Sequence, residues 1–381
     1  MTNSFQEVTT DTMPTVGKLS IISMKGCEKF TEKIDWYLRN MRKDMEEVDT
    51  YVTHVTCPRF GTGEGKGQID ETVRGHDVYI ICDCFNYSVT YNMYGFENHM
   101  SPDDHYQDLK RIIAAMGGKA RRVTVVMPML YEGRQHRRSK RESLDAAIML
   151  QELCNMGVKN VITFDAHDPR IVNAIPLSGF DDVQPTYQMI KAITNAVPDI
   201  KFNKFDTVVI SPDEGGMSRC MYYSSVLHLD LGMFYKRRDY SRVVDGKNPI
   251  ISHEYLGRDV DGKDVIIVDD MISSGESIID VATKLKNQGA KRIFVFASFG
   301  LFVNGLGVFD KAYDDGIITK IFTTNLIYRN HDLASREWYY EVDMSKYVSL
   351  LIDTLNHDET ISHLLDPVTK IQNLIEARGN K

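Results

Sequence analysis

Several features that would place the 381-residue chain in a special class of protein are missing from it. Its six cysteines are scattered, and only Cys82 and Cys84 lie close together, so the sequence indicates neither a disulfide framework nor paired zinc ligands and fits a reducing cytoplasm. No apolar run approaches the roughly 20 residues that cross a bilayer, and no signal-like segment is present, which predicts a cytoplasmic protein without membrane contact. The formal net charge of −8 gives no general attraction to nucleic acid, so no nucleic-acid partner is expected.

Short β-branched runs alternate with amphipathic segments along most of the chain. The clearest runs predict strands that are buried on both faces, at residues 123–127, 161–164, 207–210, 265–268 and 293–296. Residues 141–155 and 277–288 have apolar side chains at helical spacing before a glycine, which predicts helices between the strands. Such strand-helix-strand units predict mostly parallel sheets, with ligands bound in the loops beyond the carboxyl ends of the strands.

The most informative segment is 265–277, an apolar strand that ends in Asp269 and Asp270 and continues into a Ser/Gly loop that opens a helix. The two carboxylates can hydrogen-bond the vicinal hydroxyls of a ribose, while the loop amides, the serine hydroxyls and the helix N-terminus can hold a phosphate. The alternative is that a serine only caps the helix and the aspartates are solvated. The strand before the loop and the helix after it favour a sugar-phosphate site. Its loop residues are Ser273, Ser274, Gly275, Glu276 and Ser277.

This segment resembles the 5-phosphoribosyl diphosphate binding motif that type I phosphoribosyltransferases share with ribose-phosphate diphosphokinases, also called PRPP synthetases. Further segments resemble successive landmarks of the diphosphokinase family, in the family's order. They are residues 60–64, 73–81, 134–135, 163–167, 210–216 and 235–238. The resemblance covers roughly residues 18–365, and a phosphoribosyltransferase would not show all of these segments.

The resemblance implies an α/β fold of two phosphoribosyltransferase-type domains, each a mostly parallel sheet flanked by helices. We divide the chain into a flexible lead-in at 1–16, an N-terminal ATP-side domain at 17–184, a C-terminal domain with the ribose 5-phosphate loop at 185–343, and helices packing back on the first domain at 344–381. The implied reaction uses Mg²⁺ and transfers the β,γ-diphosphoryl group of ATP to O1 of ribose 5-phosphate, giving 5-phosphoribosyl 1-diphosphate and AMP. A homo-oligomer, either a hexamer or its dimer unit, is also implied.

The resemblance also assigns residues to ATP and its metal ion. His167 and Asp213 are expected to hold magnesium at the ATP phosphates, with His167 also counted among the ATP contacts, although imidazole alone is an unusual magnesium ligand. A lone histidine after a strand is more often structural. Arg134 and Gln135 are expected to contact the ATP phosphates, and the planar fork of arginine suits polyphosphate oxygens.

Two further groups complete the implied site. Lys236 and Arg238 match the family's catalytic basic pair, and the polar segment 239–257 is expected to be a mobile lid; the alternative is a solvated basic run. Flexible cations suit diphosphoryl transfer because negative charge spreads over nonbridging oxygens in the transition state. Phe60 and Glu64 are expected to hold the adenine of ATP from a neighbouring subunit, Phe60 by stacking and Glu64 by accepting from the amino group.

The chain departs from the family pattern in its loops. Thr62 replaces an Asn in the adenine loop, His136 replaces an Asp after Arg-Gln, and insertions occur around residues 87–102 and 245–257. Ser273 and Glu276 stand where the family usually has Asp and Gly. Two alternatives to the diphosphokinase are a catalytically silent regulatory homologue that assembles with active synthetases, and a phosphoribosyltransferase. The retained candidate residues argue against the first, and the adenine loop argues against the second.

Overall fold

The structure is a computed structural model that describes residues 15–45, 47–238 and 250–379. At 236–238, 250–253 and 378–379 only the backbone is described. Of the predicted lead-in, residues 1–14 therefore lie outside the described residues, and so do residues 239–249 of the predicted lid.

Strands and helices alternate through the described ranges. The strands are β1 (Leu19–Ser23), β2 (Val52–Thr53), β3 (Val55–Thr56), β4 (Gln68–Ile69), β5 (Asp77–Ile81), β6 (Thr90–Met93), β7 (Phe96–His99), β8 (Arg122–Val126), β9 (Asn160–Phe164), β10 (Gly179–Val183), β11 (Thr207–Ser211), β12 (Asp230–Arg238), β13 (Ile250–Leu256), β14 (Asp264–Ile272), β15 (Arg292–Gly300), β16 (Lys320–Thr324) and β17 (Tyr339–Val342). The helices are α1 (Glu28–Arg42), α2 (Pro102–Met116), α3 (Asp145–Asn155), α4 (Thr186–Ala196), α5 (Met217–Leu227), α6 (Glu276–Asn287), α7 (Gly307–Asp314), α8 (Ser345–Asn356), α9 (Ser362–Leu365) and α10 (Val368–Gly379), with 3₁₀-helices at Pro169–Ala174 and His331–Ser335.

Two large sheets organise the described part of the chain. The first has six strands in the order β10-β9-β8-β5-β1-β2, and all its neighbours are parallel. The second has seven strands in the order β13-β12-β11-β14-β15-β16-β17, with a single antiparallel pair, β12 and β13, at one edge. The prediction of two mostly parallel sheets flanked by helices is confirmed, because the apolar runs are buried strands.

Three local features add to or differ from the predicted elements. Residues 179–183 form the edge strand β10, which pairs with β9 without a long apolar run. The end of the predicted lid, 250–256, is strand β13, since its Ile and Tyr residues suit an edge strand that pairs with β12. Helix α3 begins at Asp145 and not at residue 141, because the Gln135 side chain donates to the Ser143 carbonyl oxygen (2.9 Å) and holds the preceding loop.

Helix α8 is fixed on the first sheet through buried charge. The Arg122 guanidinium bonds both carboxylate oxygens of Asp77 (2.8 and 2.6 Å) and the carbonyl oxygen of Leu355 (2.7 Å). The Asn356 amide also donates to Asp77 (2.9 Å). These contacts join the C-terminal part of the chain to the N-terminal sheet; the domain boundaries themselves stay a prediction.

One hydrophobic core runs from the first sheet onto one face of the second, and a separate core covers the other face of the second sheet. The two sheets are therefore packed firmly together, with their loops held at a common cleft. All six cysteines are free thiols. Within the described ranges, no helix is long and apolar enough to span a lipid bilayer.

Candidate active site

The candidate residues gather at the carboxyl ends of strands from both sheets. His167 follows β9 of the first sheet, whereas Asp269 and Asp270 lie near the end of β14 in the second. The His167 Nδ1 atom is 2.6 Å from Oδ2 of Asp270, so the two sheets meet at this pair. The pairing leaves Nε2 of His167 as the ring nitrogen that faces other partners.

A buried ionic network supports this pair. The Arg219 guanidinium, from helix α5, donates through Nε to Oδ1 of Asp165 (2.6 Å), and the Ser298 hydroxyl donates to the other Asp165 oxygen (2.5 Å). Asp165 lies two residues before His167 and adopts a left-handed backbone conformation (φ 44°). A buried charge in this position is stable only when it is paired, so Arg219 provides the counter-charge for a cluster of carboxylates.

The protonation states follow from these contacts. The hydrogen bond to Asp270 raises the pKa of His167 above its ordinary value. Burial would raise the pKa of Asp270, but the hydrogen bond from His167 and the charge of Arg219 outweigh it and hold that pKa below the ordinary value. Burial and the neighbouring Asp270 charge raise the pKa of Asp269. Within the cluster, the negative charge is therefore favoured on Asp270, which accepts the hydrogen bond from His167, over Asp269.

A cavity of about 130 Å³ opens beside the pair. Its lining includes Arg134, His167 and Asp270, together with aromatic side chains such as Phe85 and Phe164. Arg134 is exposed, which suits an anion contact. The Gln135 side-chain amide already donates one hydrogen bond to the Ser143 carbonyl oxygen (2.9 Å). The cavity thus brings together three of the residues predicted from the sequence.

The predicted sugar-phosphate loop joins β14 to the N-terminus of α6. Gly275 has φ 86°, and a Cβ atom there would lie 2.0 Å from Cζ of Phe309, so both the backbone and the close packing require glycine. Glu276 and Ser277 form the first turn of α6 and are exposed. Serine hydroxyls and helix amides are therefore presented at one place, as an anion site requires.

The loop from Arg59 to Gly65 stands apart and does not line the cavity. It is closed by backbone hydrogen bonds between Phe60 and Glu64 (2.7 Å) and between Gly63 and Phe60 (2.8 Å). The Phe60 side chain is 57% exposed, and the Thr62 hydroxyl donates to the Glu64 carboxylate (2.9 Å). An exposed phenylalanine on a closed loop is available to a ligand or to another subunit.

The remaining candidates are placed by their backbone. Asp213 follows β11, the neighbour of β14, and its Oδ1 atom accepts from the Gly215 (2.9 Å) and Gly216 (3.3 Å) amides. Lys236 and Arg238 lie at the end of β12, paired with β13, and a register irregularity falls between 237 and 238. Their side chains are outside the described part of the structure.

Comparisons with known proteins decide the family. Residues 19–157 match the N-terminal domain of ribose phosphate pyrophosphokinase, and residues 181–324 match the phosphoribosyl transferase domain. A ribose-phosphate pyrophosphokinase from Vibrio cholerae is 31% identical over 317 residues, which are 82% of this chain and 90% of that protein. One from Mycoplasma genitalium is 30% identical over 277 residues, covering 72% and 75%. The chain belongs to the ribose-phosphate pyrophosphokinase family.

The predicted family is thus confirmed, and with it the prediction of a ribose-phosphate pyrophosphokinase enzyme. A crystal structure of phosphoribosylpyrophosphate synthetase from Mycobacterium smegmatis has the same fold, with a TM-score of 0.71 and 20% identity, covering 90% of this chain and 99% of that one. The pyrophosphokinase fold therefore extends over nearly the whole chain.

Asp165 and Arg219 were missed in the sequence of this pyrophosphokinase. Asp165 stands inside the 163–167 landmark, but Arg219 comes from a helix 54 residues away and carries no motif of its own. The available signal was charge balance, since Asp165 and the two aspartates at the end of β14 require a nearby cation once they are buried.

We expect Asp270→Asn to lower the pKa of His167 toward its ordinary value, since the substitution removes the carboxylate that stabilises the imidazolium. The measurement is an NMR titration of the histidine ring signals. Asp168→Asn is the matched control, because Asp168 lies 3.3 Å from Nε2 of His136 and should affect mainly that ring. An unchanged His167 titration in Asp270→Asn would show that the pair does not form in solution.

Proposed function

We propose that this chain makes 5-phosphoribosyl 1-diphosphate and AMP from ATP and ribose 5-phosphate. The observation that carries the proposal is the pairing of His167 with Asp270 across the two sheets, beside a cavity that Arg134 also lines. This arrangement supports a site in which a polyphosphate and a ribose meet between the two halves. Membership of the pyrophosphokinase family supports the same reaction.

Ribose 5-phosphate is assigned to the end of β14 and the start of α6. Asp269 and Asp270 receive the ribose hydroxyls, while residues 273–277 hold the 5-phosphate through amides, hydroxyls and the helix N-terminus. ATP is assigned to the β9 side of the cleft, with Arg134 and Gln135 at its phosphates. In the reaction, O1 of the ribose attacks the β-phosphorus, the bond from the β-phosphorus to the bridging α,β-oxygen breaks, and AMP leaves as the O1 proton is released.

The protein contributes position and positive charge. Holding O1 in line with the β-phosphorus makes the reaction effectively intramolecular. We assign Lys236, Arg238 and Arg134 to the negative charge that grows on the nonbridging oxygens during transfer. Lys236 and Arg238 lie at the end of β12. The neighbouring strand β11 is followed by Asp213.

The donor set fits a magnesium ion that is shared with ATP. Within the described ranges, no group of three or more His, Cys, Asp or Glu side chains is arranged to hold a metal ion alone. Magnesium is typically bound by one or two protein ligands together with substrate phosphates. We propose that His167, through Nε2, and Asp213 hold Mg²⁺, which when bound would neutralise phosphate charge.

We propose a cytoplasmic homo-oligomer, either a hexamer or its dimer unit, in which Phe60 and Glu64 hold the adenine bound to a neighbouring subunit. The exposure of Phe60 supports this role. We expect Phe60→Ala to weaken ATP binding by about 1–3 kcal/mol, the usual contribution of aromatic stacking on a base, and to leave ribose 5-phosphate binding intact. Isothermal titration with each ligand measures this, and equal losses for both ligands would contradict the role.

We expect Ser277→Ala to weaken ribose 5-phosphate binding on the order of tenfold or more, because a hydroxyl donor to a charged phosphate is lost. Glu276→Gln is the control in the same helical turn, and since Glu276 is exposed it should change the affinity little. The dissociation constant of ribose 5-phosphate for each variant is the measurement. A larger loss of affinity in Glu276→Gln than in Ser277→Ala would show that this loop does not bind the sugar phosphate as proposed.

The direct test of the activity is AMP release by the purified chain with ATP and Mg²⁺. The proposal predicts AMP only when ribose 5-phosphate is present, without added nucleobase. A silent homologue would release none, and a phosphoribosyltransferase would instead consume 5-phosphoribosyl 1-diphosphate when a nucleobase is supplied.

A further inference from the structure

The loop from Arg59 to Gly65 contacts two other parts of the chain, helix α2 and the segment around residues 87–102. The Arg59 guanidinium makes two hydrogen bonds to the Asp108 carboxylate of α2 (2.6 and 2.9 Å), and both side chains are largely buried. On its other face the same guanidinium lies over the ring of Tyr91, 5.0 Å from the centroid. Tyr91 belongs to the hairpin of β6 and β7, so the hairpin already contacts the base of the loop.

The hairpin also contacts the tip of the loop. The Tyr94 amide donates to the carbonyl oxygen of Gly61 (2.8 Å), next to Phe60. The Met93 side chain packs against Gly63, and a Cβ atom on Gly63 would lie 2.7 Å from its Sδ atom. Gly63 has φ 93°, so the loop conformation and this close packing both depend on glycine. The hairpin therefore supports the conformation of the loop that carries Phe60.

The turn of the hairpin has a tyrosine in a backbone conformation that is unfavourable for a bulky residue. Tyr94 and Gly95 both have positive φ (51° and 82°), the conformation that two-residue hairpin turns need and that Asn-Gly supplies most easily. A bulky residue at positive φ is uncommon, and such strain is often kept for function. The Tyr94 side chain is 73% exposed, and its backbone is hydrogen-bonded beside the exposed Phe60.

We propose that the β6–β7 hairpin is part of the nucleotide site: Met93 and the Tyr94 amide position the adenine loop, and the Tyr94 ring adds a second aromatic surface for the adenine. The inference rests on the proposed function, since it takes Phe60 to be an adenine contact. Aromatic rings stack on any base face, so a second ring beside Phe60 would enlarge the contact with the purine.

Two substitutions separate the parts of this proposal. Tyr94→Asn removes the ring but keeps the donating amide and suits the positive φ, so the hairpin should remain as stable as in the wild type. Met93→Ala removes the side chain that packs on Gly63. Phe205→Asn is the matched control, because Phe205 is an equally exposed aromatic residue (75%) in a turn before β11.

We expect both hairpin variants to raise the KM for ATP by about fivefold or more, with kcat and the KM for ribose 5-phosphate within twofold of wild type. Hydrogen exchange of residues 59–65 should be faster in Met93→Ala and unchanged in Tyr94→Asn. Phe205→Asn should match the wild type throughout.

The outcome of Phe60→Ala, measured beside them, separates two kinds of failure. If Phe60→Ala raises the KM for ATP but neither hairpin variant does, the hairpin has no part in the nucleotide site and the inference is overturned. If all three leave the KM for ATP unchanged while AMP is still formed, the adenine-loop assignment itself fails. A rise in the KM for both substrates would also count against the inference, since it would indicate general damage.

Discussion

Arg219→Met should destabilise the folded protein by roughly 3–5 kcal/mol, the usual result of leaving a buried charge unpaired. Its guanidinium bonds Asp165 at 2.6 Å and lies among the carboxylates at the end of β14. Methionine fills much of the same volume, so the loss would come from charge and not from a cavity. The free energy of unfolding from urea titration is the measurement.

The loss of stability in Arg219→Met should depend on pH. Burial raises the pKa of Asp165, and removing Arg219 would raise it further. A carboxyl group with a raised pKa in the folded state destabilises that state as pH rises through its pKa, and protonation at lower pH removes the penalty. The difference in the free energy of unfolding between variant and wild type should therefore shrink as pH falls from neutral into the acidic range.

Arg170→Met is the matched control, because Arg170 pairs with Asp168 at an exposed position. It should change the stability little, since exposed ion pairs contribute little. If Arg219→Met were as stable as the wild type at neutral pH, the buried network would not exist as described.

Lys236→Ala and Arg238→Ala should each lower kcat on the order of a hundredfold or more while changing KM little. We assign both residues to charge that develops in the transition state, and loss of one such donor typically costs that much. Steady-state kinetics with both substrates measure the effect. Lys201→Ala, an exposed lysine before β11, is the control and should keep the wild-type kcat.

The pattern of kinetic constants decides the roles of this pair. A raised KM with normal kcat would mean that the side chains bind ground-state phosphates and do not act on the transition state. A wild-type kcat in either variant would remove that residue from the reaction. The backbone of Lys236 and Arg238 is fixed by the pairing of β12 with β13. A loss of activity in either variant would therefore be attributed to the missing side chain and not to a disordered loop.

Much of the fold could be predicted because the strands are continuous apolar runs. Residues such as Val265 and Ile293 are fully buried, and a run buried on both faces identifies an inner parallel strand. The edge strands β10 and β13 lack such runs, since one side of an edge strand faces solvent, and their pairing is set by neighbours that the sequence does not reveal.

The candidate site was predictable where a residue lies close to the carboxyl end of a strand. His167 follows β9 and Asp270 lies near the end of β14, and the carboxyl ends of parallel strands face a common cleft. The 2.6 Å contact between the two residues also needs the two sheets to pack together. Arg219 lies on a helix and reaches the cluster through tertiary packing. The hairpin turn at Tyr94 was equally hidden, because Tyr-Gly is not the sequence such turns favour.

The central claim is that O1 of ribose 5-phosphate attacks the β-phosphorus of ATP. Phosphorus NMR of a reaction with the purified chain, ATP, Mg²⁺ and ribose 5-phosphate tests it most directly, since it identifies every phosphorus product. The account predicts equal amounts of AMP and a diphosphate ester on C1 of the sugar phosphate, with no ADP. Formation of ADP with a ribose bisphosphate, or no turnover at all, would contradict it.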